Sequence, residues 1–287
     1  MKGWLTISLI IGLAILACSP RQWAIRQTVP ILQEGIAAIY AEPDLAFARS
    51  AIPANLKLLE GLWRSDPENK DLLLNLTQGY ASYALAFLED TDEQRAAEFY
   101  RRSKKWGMQL LAQYPPFQEN IPRSVQEWQE RLAQLSPKAV PAVFWTAFAW
   151  GGWINLNSGD PRAVGELGVV ETLMHWVINT QENYFFGAAH LFFGSIYGSI
   201  PRIMGGDPEK ARQEFERCLE ISNGKFMLAN VYLARYYAYP LLDEGIFETV
   251  LQRVLEAPLD ILPGYELLTA VAKEKARRLL DQKNELF

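Results

Sequence analysis

The chain has 287 residues, a net charge of −5 and 49% apolar residues, nine of them Trp. That length supports one sizeable hydrophobic core, and the mild acidity argues against nucleic acid or an anionic membrane surface as a partner. With two cysteines, Cys18 and Cys218, and two histidines, His175 and His190, neither a disulfide framework nor a His-rich metal site is expected.

The N-terminus carries the first signal. Lys2 is followed by an uncharged run from Trp4 to Leu16, then by Ile15-Leu16-Ala17-Cys18 and the polar Ser19, Pro20 and Arg21. The run is shorter than the about 20 apolar residues that cross a bilayer and has the size of a signal-peptide hydrophobic region. Ile15 to Cys18 resembles the bacterial lipobox, whose Cys is thioether-linked to diacylglycerol and becomes the new N-terminus. The expected organisation is a lipoprotein signal peptide at 1–17, a lipidated tether at 18–28 starting with Cys18, and a helical domain at 29–287. The compartment is then the periplasm. Ser19 lacks the Asp that retains many lipoproteins at the inner membrane, which points to the outer membrane and leaves the inner one open.

From Val29 onwards apolar residues recur at helical spacing, and strand-like alternation is essentially absent. Breakers fall at Glu42-Pro43, Asp66-Pro67, Tyr114-Pro115-Pro116, Ser136-Pro137, Ser158-Gly159-Asp160-Pro161, Gly205-Gly206-Asp207-Pro208 and Ser222-Asn223-Gly224. In the Asp160-Pro161 and Asp207-Pro208 pairs the Asp suits a helix cap and the Pro suits the first turn. The pattern predicts about eleven or twelve helices of roughly 12 to 22 residues.

Repeats come next. Gly194 and Tyr197, followed by Ala211, Phe215 and Cys218, have the small–large–small spacing of a tetratricopeptide unit. A weaker copy is Gly79 with Tyr83, then Ala96, Tyr100 and Ser103. The fold class expected is all-α, a tetratricopeptide-like solenoid of helical hairpins, because no single hairpin buries its apolar face alone.

Two segments lack a polar face. Ala139 to Ile154 carries no charge, and Phe144, Trp145, Phe148, Trp150 and Trp153 point all round the helix. Tyr184 to Ile200 is similar, with His190 its one imidazole. A membrane span is the rival reading. Pro141 and the Gly151-Gly152 pair favour instead two central helices covered by their neighbours.

Motifs of catalysis are missing: no His-Glu-x-x-His, Gly-x-Ser-x-Gly or phosphate loop occurs. No catalytic residue, metal ligand or cofactor is therefore assigned, and an enzyme is not expected. Gly205-Gly206 ahead of a capped helix reads as an anion seat or, more simply, as a long turn. Glu60, Glu89, Glu171 and Glu182 read as solvated or salt-bridged. Trp145, Trp150 and Trp153 beside Gly151 and Gly152 line an apolar cavity or form plain core. His190, among the small residues Gly187, Ala188 and Ala189, orients a ligand or binds a neighbouring carbonyl. With Tyr197 on the same helix, the candidate ligand-lining set is Trp145, Trp150, Gly151, Trp153, His190 and Tyr197. Cys218 reads as core.

Four stretches, in order and covering most of the chain after the tether, resemble one bacterial family. They are Asp66-Pro67-Glu68-Asn69 leading to Gly79-Tyr80-Ala81, and Val140-Pro141-Ala142-Val143-Phe144-Trp145 leading to Ala149-Trp150-Gly151-Gly152-Trp153. Tyr184 through Gly187-Ala188-Ala189-His190 to Gly194 is the third, and Gly205-Gly206-Asp207-Pro208-Glu209-Lys210-Ala211 to Phe215 is the fourth. The chain resembles the TRAP-transporter-associated T component family of lipoproteins. The resemblance implies a lipid-anchored periplasmic accessory of a TRAP-type uptake system, partnered by an extracytoplasmic solute-binding protein. It also implies a hydrophobic channel or cleft for a hydrophobic or organic-acid ligand, and no enzymatic activity. Self-association into a homo-oligomer stays open. The alternative is a tetratricopeptide scaffold for envelope assembly, which predicts a polar groove and no enclosed apolar cavity.

Overall fold

The computed structural model describes residues 20–200 and 206–287. Cys18, the leader before it and Gly205 lie outside the described residues. The chain is 77% helical, and no strand occurs among the described residues, so the all-α expectation holds. In chain order the main helices are α1 (Pro20–Tyr40), α2 (Leu45–Trp63), α3 (Lys70–Phe87), α4 (Glu93–Leu111), α5 (Val125–Leu132), α6 (Val140–Leu156) and α7 (Leu167–Gln181). They continue as α8 (Ala188–Ser199), α9 (Pro208–Ile221), α10 (Met227–Leu233), α11 (Glu244–Glu256) and α12 (Glu266–Asp281). Short turns such as Pro161–Val164 join them. Two helices are shorter than the expected range. α5 is a brief segment between loops, and α10 passes into a π-turn at Ala234–Ala238.

Local chemistry sets the helix starts. Asp44, Asn69, Asp92, Ser124, Asp160, Asp207 and Asp243 each accept hydrogen bonds from first-turn amides of the helix they precede. Each such cap is worth about 1 kcal/mol. Asp160 and Asp207 are the two caps expected from their Asp-Pro pairs. At α9 the Asp207 carboxylate occupies the free amides, accepting from the Lys210 N–H at 3.1 Å, so the end beside Gly206 already holds a negative group.

Helices close in the chain pack as neighbours: α3 on α4, α4 past the short α5 on α6, α6 on α7, α8 on α9 and α11 on α12. Glycines set how closely they approach. A Cβ at Gly107 of α4 would stand 2.4 Å from the Thr146 hydroxyl, and one at Gly152 of α6 would stand 2.7 Å from the Tyr100 ring. The repeat spacing has the same cause, since a Cβ on Gly194 would strike the Phe215 ring at 2.8 Å. Ala211, Phe215 and Cys218 are all fully buried.

The interior divides into two apolar clusters. One, built on Phe117, Trp128, Phe144 and Val170, lies among α3 to α8. The other, built on Leu56, Phe215, Phe226 and Phe247, joins α2 and α3 to α9 through α12. Burying one such large side chain stabilises by about 1.5–3 kcal/mol. α12 also packs on α1 and α2, which brings the end of the chain back to its beginning. The charge-free stretch of the central reading is α6, with Phe144, Trp145, Ala147 and Ala149 at 2% exposure or less. No helix among the described residues is long and apolar enough to cross a membrane.

The π-turn carries a testable consequence. A Cβ at Gly198 would sit 1.9 Å from the Tyr236 carbonyl oxygen, a backbone atom that cannot rotate away, whereas Gly61 of α2 faces open space. Gly198→Ala is expected to lower stability by about 2–3 kcal/mol through overpacking. Gly61→Ala is expected to raise it by about 0.5–1 kcal/mol through helix propensity. Thermal unfolding followed by circular dichroism gives both signs, and equal shifts in the two variants would contradict this packing.

Candidate functional site

α3 supplies the floor of an internal space. Asn75, Gln78, Gly79, Ser82, Ala86 and the following Glu89 recur at helical spacing and line a cavity of about 260 Å³. Opposite them α6 contributes Phe144, Trp145, Phe148, Gly151, Gly152 and Asn155, and α8 contributes Leu191, Phe192 and Ser195. Ile52, Leu56 and Leu59 from α2, Leu228 and Tyr232 from α10, and Leu267 and Val271 from α12 close the remaining sides. The wall is overwhelmingly apolar, as befits a site for an apolar ligand.

Glycine's role here differs from leaving a void. A Cβ on Gly151 would approach Phe192 at 3.1 Å and one on Gly152 would meet Tyr100, so both glycines admit aromatic rings against α6. Trp145 stands in the wall with its Nε1–H donated to the Tyr184 hydroxyl at 3.1 Å. Its ring meets Phe185 edge-on at 4.9 Å between centroids.

Of the candidate set, Trp145 and Gly151 belong to this wall, while Trp150, Trp153, His190 and Tyr197 do not. Trp150 turns the other way and donates Nε1–H to Glu166 at 2.6 Å, with the Lys104 ammonium 3.9 Å from its ring. Burial lowers the Lys104 ammonium below its ordinary range, although the Glu166 carboxylate opposes this. Trp153 lies on an outer groove with Arg101, Lys105 and Met108. His190 is a clamp between elements: Nδ1 is 2.5 Å from Glu214 Oε2 of α9, and Nε2 is 3.3 Å from Glu182 Oε1 just after α7. Tyr197 stacks on Phe193 and lies under Lys210. Cys218 is buried with its thiol pushed up by loss of solvent. No group of three or more His, Cys, Asp or Glu among the described residues is arranged to hold a metal.

The candidate ligand-lining set left out Glu89, Asn75, Phe148 and Tyr232, which line the cavity; Glu89, read as solvated or salt-bridged, is salt-bridged. The signal was available in α3, where polar and small residues share one stripe with Leu85, and Leu56 of α2 packs on Gly79. Glu89 is the charged member of the wall. It accepts a hydrogen bond from the Tyr100 hydroxyl, and Lys275 Nζ lies 3.3 Å from it. Behind it lies a polar cleft that also contains Glu89 and Tyr232, together with Asp90, Arg235, Lys275 and Arg278. Lys275, 6% exposed, pairs with Asp90 at 2.6 Å, and Arg235 with Asp90 at 3.1 Å. Burial alone would raise the Asp90 carboxyl; the Lys275 ammonium and Arg235 guanidinium outweigh it and hold the group below its ordinary value.

Comparison with known proteins gives two results. A family model described as TRAP transporter T-component matches residues 41–287. A protein of Treponema pallidum (strain Nichols), itself described as uncharacterized, is 22% identical over 262 residues, covering 86% of this chain and 81% of that protein.

The charge cluster joins α12 to the end of α3 and predicts a pH profile. Because Asp90 is depressed in the folded state, its contribution is complete above its ordinary value of 3.8 and is lost as pH falls through the lower folded value. Lys275→Met leaves Asp90 with Arg235 alone and Glu89 with only the Tyr100 hydroxyl, and is expected to cost up to about 3 kcal/mol at neutral pH. Urea unfolding between pH 3 and 7 checks this: the difference from wild type should shrink at the acid end, and a constant difference would refute the assignment.

Proposed function

This chain belongs to the TRAP transporter T-component family, and from that premise we propose that it serves as a periplasmic accessory that docks a TRAP-type solute-binding protein and handles an apolar ligand. In this reading Cys18 carries the lipid that holds it at the membrane. Two or three acyl chains anchor firmly where one would exchange, and confinement beside a membrane partner raises effective concentration, so a weak interface suffices. The role is binding, with no bond-making step.

The observation that carries the proposal is the cavity itself. Helices from both ends of the chain surround an apolar space of about 260 Å³, larger than an engineered cavity of about 150 Å³ that binds benzene. A scaffold for envelope assembly needs a polar groove and gains nothing from such a space, so the cavity favours the transport accessory.

The test is capture of the lipidated protein from its own envelope, with mass spectrometry of proteins and extracted small molecules. A TRAP-type solute-binding protein and an apolar molecule are expected together. Phe148→Asp, which places a charge in the wall, should abolish the small molecule and retain the receptor. Cys18→Ala should move the protein to the soluble fraction. Recovery of assembly factors alone, with neither receptor nor apolar molecule, would favour the scaffold.

A further inference from the structure

We infer that the cavity selects uncharged ligands bearing a hydrogen-bond acceptor, read by Asn75, and rejects organic-acid anions; the inference rests on the reading of the cavity as a ligand site. Two independent observations support it. The first concerns charge. Among the described residues no Lys, Arg or His contributes to the wall, and the charged group that does is the Glu89 carboxylate. The cations nearest to it line the polar cleft and are already paired. Lys275 is held by Glu89 and Asp90, and Arg235 by Asp90. A ligand carboxylate entering this space would lose its hydration, meet no unpaired cation among the described wall residues and compete with Glu89 for Lys275. Burying an unpaired ionised carboxylate costs far more than apolar contact returns.

The second observation concerns hydrogen bonding. Most polar groups of the wall are satisfied within the protein. Gln78 donates to the Tyr40 hydroxyl at 2.5 Å, Ser195 donates to the Leu191 carbonyl at 2.7 Å, and Tyr100 donates to Glu89. Asn75 differs from these. It is 5% exposed, it lines the cavity, and its amide Nδ2 has no hydrogen-bond partner. A buried donor left unmade is costly, so a ligand oxygen that accepts from it is recognised strongly.

Asn75 and Glu89 lie 14 residues apart, along α3 and into the turn after it, about 20 Å at roughly 1.5 Å per residue. The ligand class is therefore an elongated apolar molecule with a neutral oxygen, an alcohol or a carbonyl compound, whose oxygen meets Asn75 and whose chain runs past Phe148 and Gly152.

The experiment compares octan-1-ol with octanoate at pH 8, where the acid is fully ionised, on the purified full chain. Thermal shift and isothermal titration are the readouts. Saturable binding of octanol is expected, with octanoate at least tenfold weaker. Asn75→Leu should weaken octanol about fivefold while binding of octane is retained. Equal affinity for octanol and octanoate would overturn the charge selection and leave the apolar-ligand reading standing. Octanol affinity unchanged in Asn75→Leu would overturn the role of Asn75. Failure of octane, octanol and octanoate alike would sink both this inference and the apolar-ligand reading. The wild-type comparison remains decisive even where the Asn75 variant does not fold.

Discussion

The arrangement turns on a three-residue kink. Between α7 and α8 the backbone passes through Phe185 (φ 45°, ψ 53°), Phe186 (φ 62°, ψ 25°) and Gly187 (φ 74°), all left-handed. For residues with a Cβ this conformation costs about 1–2 kcal/mol each. Gly187 escapes that cost and also admits Ile221, whose Cδ1 would lie 2.9 Å from an added Cβ. What offsets the strain is aromatic contact. Phe185 meets Phe144, Trp145, Phe226 and Tyr265, while Phe186 meets Phe226 and Tyr265. Phe185 packs against both apolar clusters, so the kink is the joint that lets two cores form one molecule with the cavity beside it.

A second joint is electrostatic and spans the chain. Lys275 and Asp90 are 185 residues apart, and their pairing holds α12 against the end of α3. Removing the ions in favour of apolar residues of similar volume would often be neutral for stability. The cluster therefore does something that apolar packing would not. It places a carboxylate, Glu89, at the boundary between an apolar space and a polar cleft, and it fixes that carboxylate with Tyr100 on one side and Lys275 on the other.

The sequence was legible where one physical signal dominated. Missing charge along Ala139 to Ile154 meant burial on every side, and α6 is buried. Asp before Pro meant a capped start, and Asp160 and Asp207 cap. Gly194 opposite Phe215 followed from spacing. The site was harder, because its membership depends on direction within a helix that is apolar all round. At about 100° per residue, Trp150 lies about 140° round α6 from Trp145. One indole faces the cavity and the other faces Glu166, and nothing in an apolar stretch marks which. His190 stands outside the cavity wall for a different reason. Its partners, Glu182 and Glu214, come from before and after its own helix, and that pairing exists only once α7, α8 and α9 have packed. Asn75 and Glu89 were hidden as ordinary polar positions on an amphipathic helix.

The size of the cavity bears on why it persists. Empty apolar volume destabilises by about 24 cal/mol per Å³, so a space of about 260 Å³ amounts to several kcal/mol. Domains of this kind are stable by only about 5–15 kcal/mol in total. Larger side chains could have filled it: Ser82, Ala86 and Ala188 all border it. Yet the same wall keeps Gly151 and Gly152 so tightly packed that neither tolerates a methyl group without movement. Close packing immediately beside unfilled volume is what a binding site requires, rigid where the ligand is oriented and open where it lies. A ligand in that space would return the lost contacts, and the chain would be most stable when loaded.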